Sequence, residues 1–205
     1  MVLQDEPVRR QRQPDARPQC IVLSPSSALW DQQTLLVLHG SGDSARRFAE
    51  HWRPLVDEGW TLVVPQLSQP WDDRDLARRE VRTHLEECRT RRGLDPARIV
   101  MAGASQGAPL AAEIANEAGL PWLCVIPDFP AGYDASRLAA VPRHTRGVFL
   151  LGEDEPANTR ARPVIASLEA AGAFIQVRTM PGAARELPVN FAVHVSDVLR
   201  HLELG

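Results

Sequence analysis

RIVMAGASQGAPLA, residues 98–111, joins an apolar run to an alanine-rich helix former through a serine set between two glycines in the spacing G-x-S-x-G. The run is continuous rather than alternating, which reads as a strand buried on both faces. Gln106 onward reads as a helix, so Ser105 falls on the turn between them, where a positive φ is expected. If strand and helix cross closely there, side chains two positions before and after the serine would strike the neighbouring backbone. That gives Gly103 and Gly107 a steric reason. Serine and glycine also decorate ordinary strand-to-helix turns, so the stretch by itself leaves open whether Ser105 is a nucleophile.

Outward from this point the same alternation continues. Apolar runs at 20–23, 34–38, 61–64, 98–102, 123–126, 147–151 and 174–180 read as strands, most of them continuous. Helical patterns lie between them at 44–58, 72–92, 106–117, 158–171 and 188–202, several opened by Ser, Asp or Asn caps. Strictly alternating β and α elements predict a mainly parallel sheet of about seven strands with helices on both faces. Function is expected at the carboxyl ends of its strands. No repeat or linker divides the chain, so residues 20–205 are expected to form one domain after a polar, proline-bearing tail at 1–19.

Composition removes several classes of function. A net charge of -3 supplies no basic field for nucleic acid or anionic lipid, and the N-terminus lacks the apolar core of a signal peptide or anchor. Cys20, Cys88 and Cys124 are odd in number and widely spaced, which argues against a disulfide framework or a zinc site and fits a reducing cytoplasm. All 23 basic residues are arginine, so Schiff-base chemistry and lysine bases are excluded. No metal, nucleotide or flavin signature is present, and neither cofactor nor metal is expected.

A second motif bears on Ser105. LLVLHGSGDSA, residues 35–45, ends a strand in His39-Gly40-Ser41-Gly42. A loop in this position can present a backbone N–H that, with the N–H following a nucleophilic serine, holds an oxyanion. The donors would be the amides of Ser41 and Gln106, the latter at a helix N-terminus whose dipole favours negative charge. His39 reads as a support for the loop rather than as a base. The plainer alternative for HGSG is a generic tight turn.

HGSGDSA and GASQGA, about 65 residues apart, together resemble the carboxylesterase/phospholipase-type, dienelactone-hydrolase-like branch of the α/β-hydrolase superfamily, and the resemblance runs over nearly the whole chain after residue 34. It implies an α/β-hydrolase fold and a serine, acid, histidine order of the triad. GVFLLGEDEP (147–156) resembles the strand that ends in the acid, which would be Glu155 by its spacing from the glycine or Asp154 by residue type. MPGAARELP (180–188) resembles the loop that carries the histidine, and there the chain departs: Arg185 stands at the histidine's place. Arginine has no acceptor and a pKa above ~12, so it cannot take the serine proton. It can pair with Glu155 or Asp154 and hold the loop.

No other histidine is an obvious substitute. His51 and His84 fall on outer helices and His144 in a polar connection, all expected to be solvated. His194 falls about six residues into the last helix, roughly 9 Å along its axis, and His201 lies farther on. Two readings therefore stand. In one, Ser105 attacks small carboxylic esters or thioesters with the help of an unidentified base. In the other, the protein is a catalytically impaired pseudoenzyme that binds a small acyl or carbonyl ligand. Trp71, Phe129 and Tyr133 are candidates for the pocket wall, or seals of their loops onto the body. No large lid fits the length. A small ester or acyl ligand is the expected partner, without nucleic acid or membrane and with a homodimer left open.

Overall fold

The computed structural model describes residues 20–26, 33–67, 73–91, 94–131, 133–139, 145–153, 156–181, 187–188 and 190–203. Its strands are β1 (Cys20–Leu23), β2 (Thr34–Leu38), β3 (Thr61–Pro65), β4 (Ile99–Ser105), β5 (Trp122–Pro127), β6 (Arg146–Gly152) and β7 (Phe174–Met180). Its α-helices are α1 (Ala45–Trp52), α2 (Pro54–Asp57), α3 (Arg74–Arg91), α4 (Gly107–Ala118), α5 (Ser136–Ala139), α6 (Pro156–Ala170) and α7 (Phe191–Glu203). The strands form one seven-stranded sheet in the order β1-β3-β2-β4-β5-β6-β7. β1 runs antiparallel to β3, and every other pairing is parallel.

The continuous apolar runs are explained by helices on both faces. β2, β3 and β5 are buried along their whole lengths. Successive residues of β2 enter different cores: Leu36 and Leu38 pack with Val81, Leu110 and Leu168 on the side of α3, α4 and α6. Leu35 and Val37 pack with Phe48, Trp52 and Val198 on the side of α1 and α7. This is the period-two consequence of a pleated strand. α4 lies closest to the sheet; Ala108, Ala111 and Ala115 are fully buried, and their small side chains permit the approach.

The strand order places the site. The chain leaves β2 for β3 on one side, returns across β2 to β4, and then progresses to β5 on the other side. β2 and β4 are thus neighbours at the point where the winding reverses, and in doubly wound sheets ligands bind beyond the carboxyl ends at such a point.

Several boundaries differ from the sequence expectation. The pattern at 44–58 is two helices, interrupted at Arg53 where Pro54 cannot donate the N–H that a continuous helix needs. The last helix begins at Phe191 rather than residue 188, after a turn in which the Phe191 N–H donates to the Pro188 carbonyl at 2.9 Å. His84 is not solvated but 2% exposed, because it shares the inward stripe of α3 with Val81, Leu85 and Cys88. β7, with one neighbour, is exposed along much of its length.

Candidate functional site at the carboxyl ends of β2 and β4

Ser105 is the last residue of β4 and has φ 51°, the left-handed region that a side chain enters at a cost of about 1–3 kcal/mol. The adjacent strand bends with it. Ile126 has φ 41°, and the β4–β5 register shifts so that Ala104 faces Val125 while Ser105 faces Pro127. The Asp128 N–H then donates to the Ser105 carbonyl at 3.0 Å. The positive φ at Ser105 and at Ile126 lie on neighbouring strands, and the Asp128 N–H just beyond Ile126 ties the second strand to the Ser105 turn.

Three glycines allow the crossing. A Cβ at Gly103 would lie 2.8 Å from the Ala108 nitrogen and closer still to the Gly107 carbonyl. A Cβ at Gly107 would lie 2.5 Å from the Leu38 carbonyl oxygen and 2.7 Å from that of His39. β4, the start of α4 and the end of β2 therefore meet backbone to backbone. The steric reason expected for Gly103 and Gly107 holds, and the second collision is with β2 rather than β4. At Gly40 a Cβ would sit 3.1 Å from the Ser105 Cβ and 3.5 Å from its Oγ. The HGSG loop thus lies against the serine side chain itself.

That loop is held from below. His39 is 4% exposed, its Nδ1 bonds the Gly40 carbonyl at 2.9 Å, and its ring meets Phe48 edge to face at 6.4 Å, so it supports the turn as the sequence suggests. The Asp43 carboxylate accepts from the Ser44 N–H at 2.8 Å, and the Gln66 carboxamide oxygen accepts from the Ala45 N–H at 2.9 Å. Phe48 continues to Trp52 and Trp52 to Phe191, which ties the loop to α1 and to the start of α7. Across the turn, Gln106 caps α4 with no side-chain hydrogen bond, so the positive end of the helix carries no cap oxygen of its own.

The other expected site residues divide into two groups. Asp154, Glu155, Arg185 and Trp71 lie outside the described residues, as do His144 and the tail at 1–19. In sequence, Asp154 and Glu155 separate the end of β6 from α6, and Arg185 separates β7 from α7. Phe129 is seated in the core, 1% exposed, against Phe149 and Tyr133. The Tyr133 hydroxyl donates to fully buried Glu113 at 2.7 Å, and the Arg74 guanidinium lies 5.0 Å over its ring. Burial and the Glu113 charge push the Tyr133 phenol far above its usual range. These two aromatics seal their loop onto α3 and α4.

His194 stands on the first turn of α7 instead of six residues in. Its Nε2 lies 3.1 Å from the Asn190 Nδ2, a contact within the start of α7. Cys124 cannot compete as nucleophile: it is fully buried, its thiol donates to the Ala108 carbonyl, and burial raises its pKa. The Asp128–Arg160 ion pair beside the Ser105 turn has no local signal, because its members are 32 residues apart on a strand end and a helix.

The fold has well-defined counterparts. No protein-family model matches the sequence, and no curated protein matches it. Among solved structures, the Bacillus cereus carboxylesterase superposes with a TM-score of 0.72 at 17% identity, covering 92% of this chain and 96% of that one. The dienelactone hydrolase of Anabaena variabilis superposes at 0.71 and 15% identity, covering 93% of each chain. An uncharacterized Bacillus cereus protein superposes at 0.74 and 16% identity over 84% of this chain, which spans 59% of that protein's length. The protein has the α/β-hydrolase fold. No helix among the described residues is long and apolar enough to cross a membrane.

Proposed function

We propose that the protein is a serine hydrolase acting on small carboxylic esters or thioesters, with Ser105 as nucleophile. The observation that carries this reading is the meeting of Gly40 with the Ser105 side chain at a turn of φ 51°: the two motifs, far apart in sequence, converge on one hydroxyl. In the reaction Ser105 Oγ bonds to the carbonyl carbon as its proton passes to a base. The carbonyl oxygen, now anionic, takes the amides of Ser41 and Gln106, and the alcohol or thiol leaves with a proton. Water then cleaves the acyl-serine by the same steps in reverse roles. Glu155 or Asp154 would orient the base. Among the described residues no large lid is seen, which suits a small or accessible ester, and the three cysteines are in no disulfide, which suits a reducing cytoplasm.

One sequence observation favours a second reading. Arg185 occupies the position where the resemblance puts the histidine, and a guanidinium cannot accept the proton. In that case the elbow and the oxyanion loop serve to bind an acyl or carbonyl ligand, with little turnover. Hydrolysis of p-nitrophenyl acetate separates the two. The hydrolase reading expects activity above buffer that disappears in Ser105→Ala. The second reading expects wild type at the level of Ser105→Ala and a gain of about a hundredfold or more in Arg185→His, since a triad lacking a member retains only the ~10³–10⁴ contributed by the oxyanion hole and binding.

A further inference from the structure

We propose that a cavity at the opposite edge of the sheet, at the amino ends of β6 and β7, is a second small-molecule site that takes a carboxylate-bearing amphiphile. The cavity has a volume of about 510 Å³, within the roughly 300–1,000 Å³ range of small-molecule sites. Its floor follows from strand register. Arg146 pairs with Phe174 and Val148 with Gln176, and alternate residues of a strand share a face, so these four side chains point to one side. Val148 packs in the same core as Val198 and Leu202 of α7, which identifies that side as the one α7 covers. α7 stops at Glu203, with Leu202 forming one wall of the cavity, and leaves the first residues of β6 and β7 uncovered. Phe174 is 64% exposed there and lines the cavity, so its ring is available to a ligand.

The chemistry of the lining selects the ligand. Arg146 is half-buried and forms no ion pair with any described residue. A guanidinium in the lining of a cavity that also carries Phe174 and Leu202 offers a planar pair of donors that matches a carboxylate. Phe174 and Leu202 supply the surface for a hydrocarbon body, and the Gln176 amide can bond a polar group beside the head. The site is remote from Ser105: β6 carries the chain from Arg146 to Gly152, about 20 Å at ~3.3 Å per residue, to the edge where the serine lies. It belongs neither to the nucleophile nor to its oxyanion loop.

Decanoate titrated calorimetrically into the full chain, below its micellar concentration, tests the site. Saturable one-to-one binding is expected for wild type and equally for Ser105→Ala, with affinity at least about tenfold weaker in Arg146→Gln and in Phe174→Ala. Phe174 is exposed enough that its truncation leaves the fold intact. A test on the ligand side needs no variant: decylammonium, with the same tail and the opposite charge, should bind at least about tenfold more weakly. The proposal is overturned if decanoate does not saturate wild type, if it binds Arg146→Gln and Phe174→Ala as well as wild type, if decylammonium binds equally, or if Ser105→Ala abolishes binding.

Discussion

The two ends of the sheet are built to different tolerances. At the carboxyl ends of β2 and β4, three backbone segments meet where not even a methyl group fits, and two non-glycine residues are held at positive φ. At the amino ends of β6 and β7, a phenylalanine is left in solvent over a cavity. The first end is fixed by contacts that leave no alternative packing, whereas the second keeps space that a ligand can fill without displacing anything. Strain at the first end is a cost the rest of the core sustains, as expected where a side chain is aimed rather than merely packed.

Substitutions can break this contrast, and the largest effect falls on the tight end. Gly107→Ala puts a Cβ 2.5 Å from the Leu38 carbonyl, backbone against backbone, with no side chain able to yield. We expect at least ~3 kcal/mol of destabilisation by urea denaturation. Ser105→Gly should act in the opposite direction: relief of the left-handed φ should stabilise the fold by about 1 kcal/mol, whereas Ser105→Ala, which keeps a Cβ, should not. A thermal melt that finds Ser105→Gly no more stable than Ser105→Ala would remove the claim of stored strain.

A buried titratable group on α3 gives a pH signature. His84 is buried, its Nε2 has no hydrogen-bond partner among the described residues, and burial lowers its pKa below 6.5 against the opposing pull of Glu87 and Glu80. Above pH 6.5 the ring is neutral in both folded and unfolded chains and costs nothing. Below 6.5 the unfolded chain takes up the proton first, so stability falls as pH drops toward the folded-state pKa, by at most ~1.4 kcal/mol per pH unit. His84→Gln should flatten that component of the stability profile between pH 6.5 and 5. The smallest effect belongs to the open end: Phe174→Ala should change stability by no more than ~0.5 kcal/mol, and a loss of several kcal/mol would show that the ring is part of the packing after all.

What the sequence revealed follows from which forces are local. The seven strands were legible because each is a short apolar run between breakers, and the Ser105 turn because glycines at 103 and 107 have a steric purpose that spacing alone exposes. Pairings between distant positions carried no local signal. The contact of Gly40 with Ser105, the shifted register at Ile126, the Asp128–Arg160 pair and the anchoring of Tyr133 on Glu113 depend on how strands are ordered in the sheet. His84 was misread because the inward stripe of α3 is set by what lies beneath it, and a polar ring on such a stripe looks solvated in sequence. The start of α7 was misplaced because Pro188 opens a turn and not a helix, which brought His194 to the first turn. The acid and Arg185 were read from resemblance, and their positions fall outside the described residues.

On the proposed function, the hydroxyl of Ser105 is a nucleophile and not merely part of a turn. A fluorophosphonate probe measures this directly, because it bonds covalently to a serine that can attack and is inert toward one that cannot. Labelling of folded wild type is expected at a single residue, with none in Ser105→Ala and none after heat denaturation. Folded wild type that stays unlabelled, or Ser105→Ala labelled to the same extent, would contradict it.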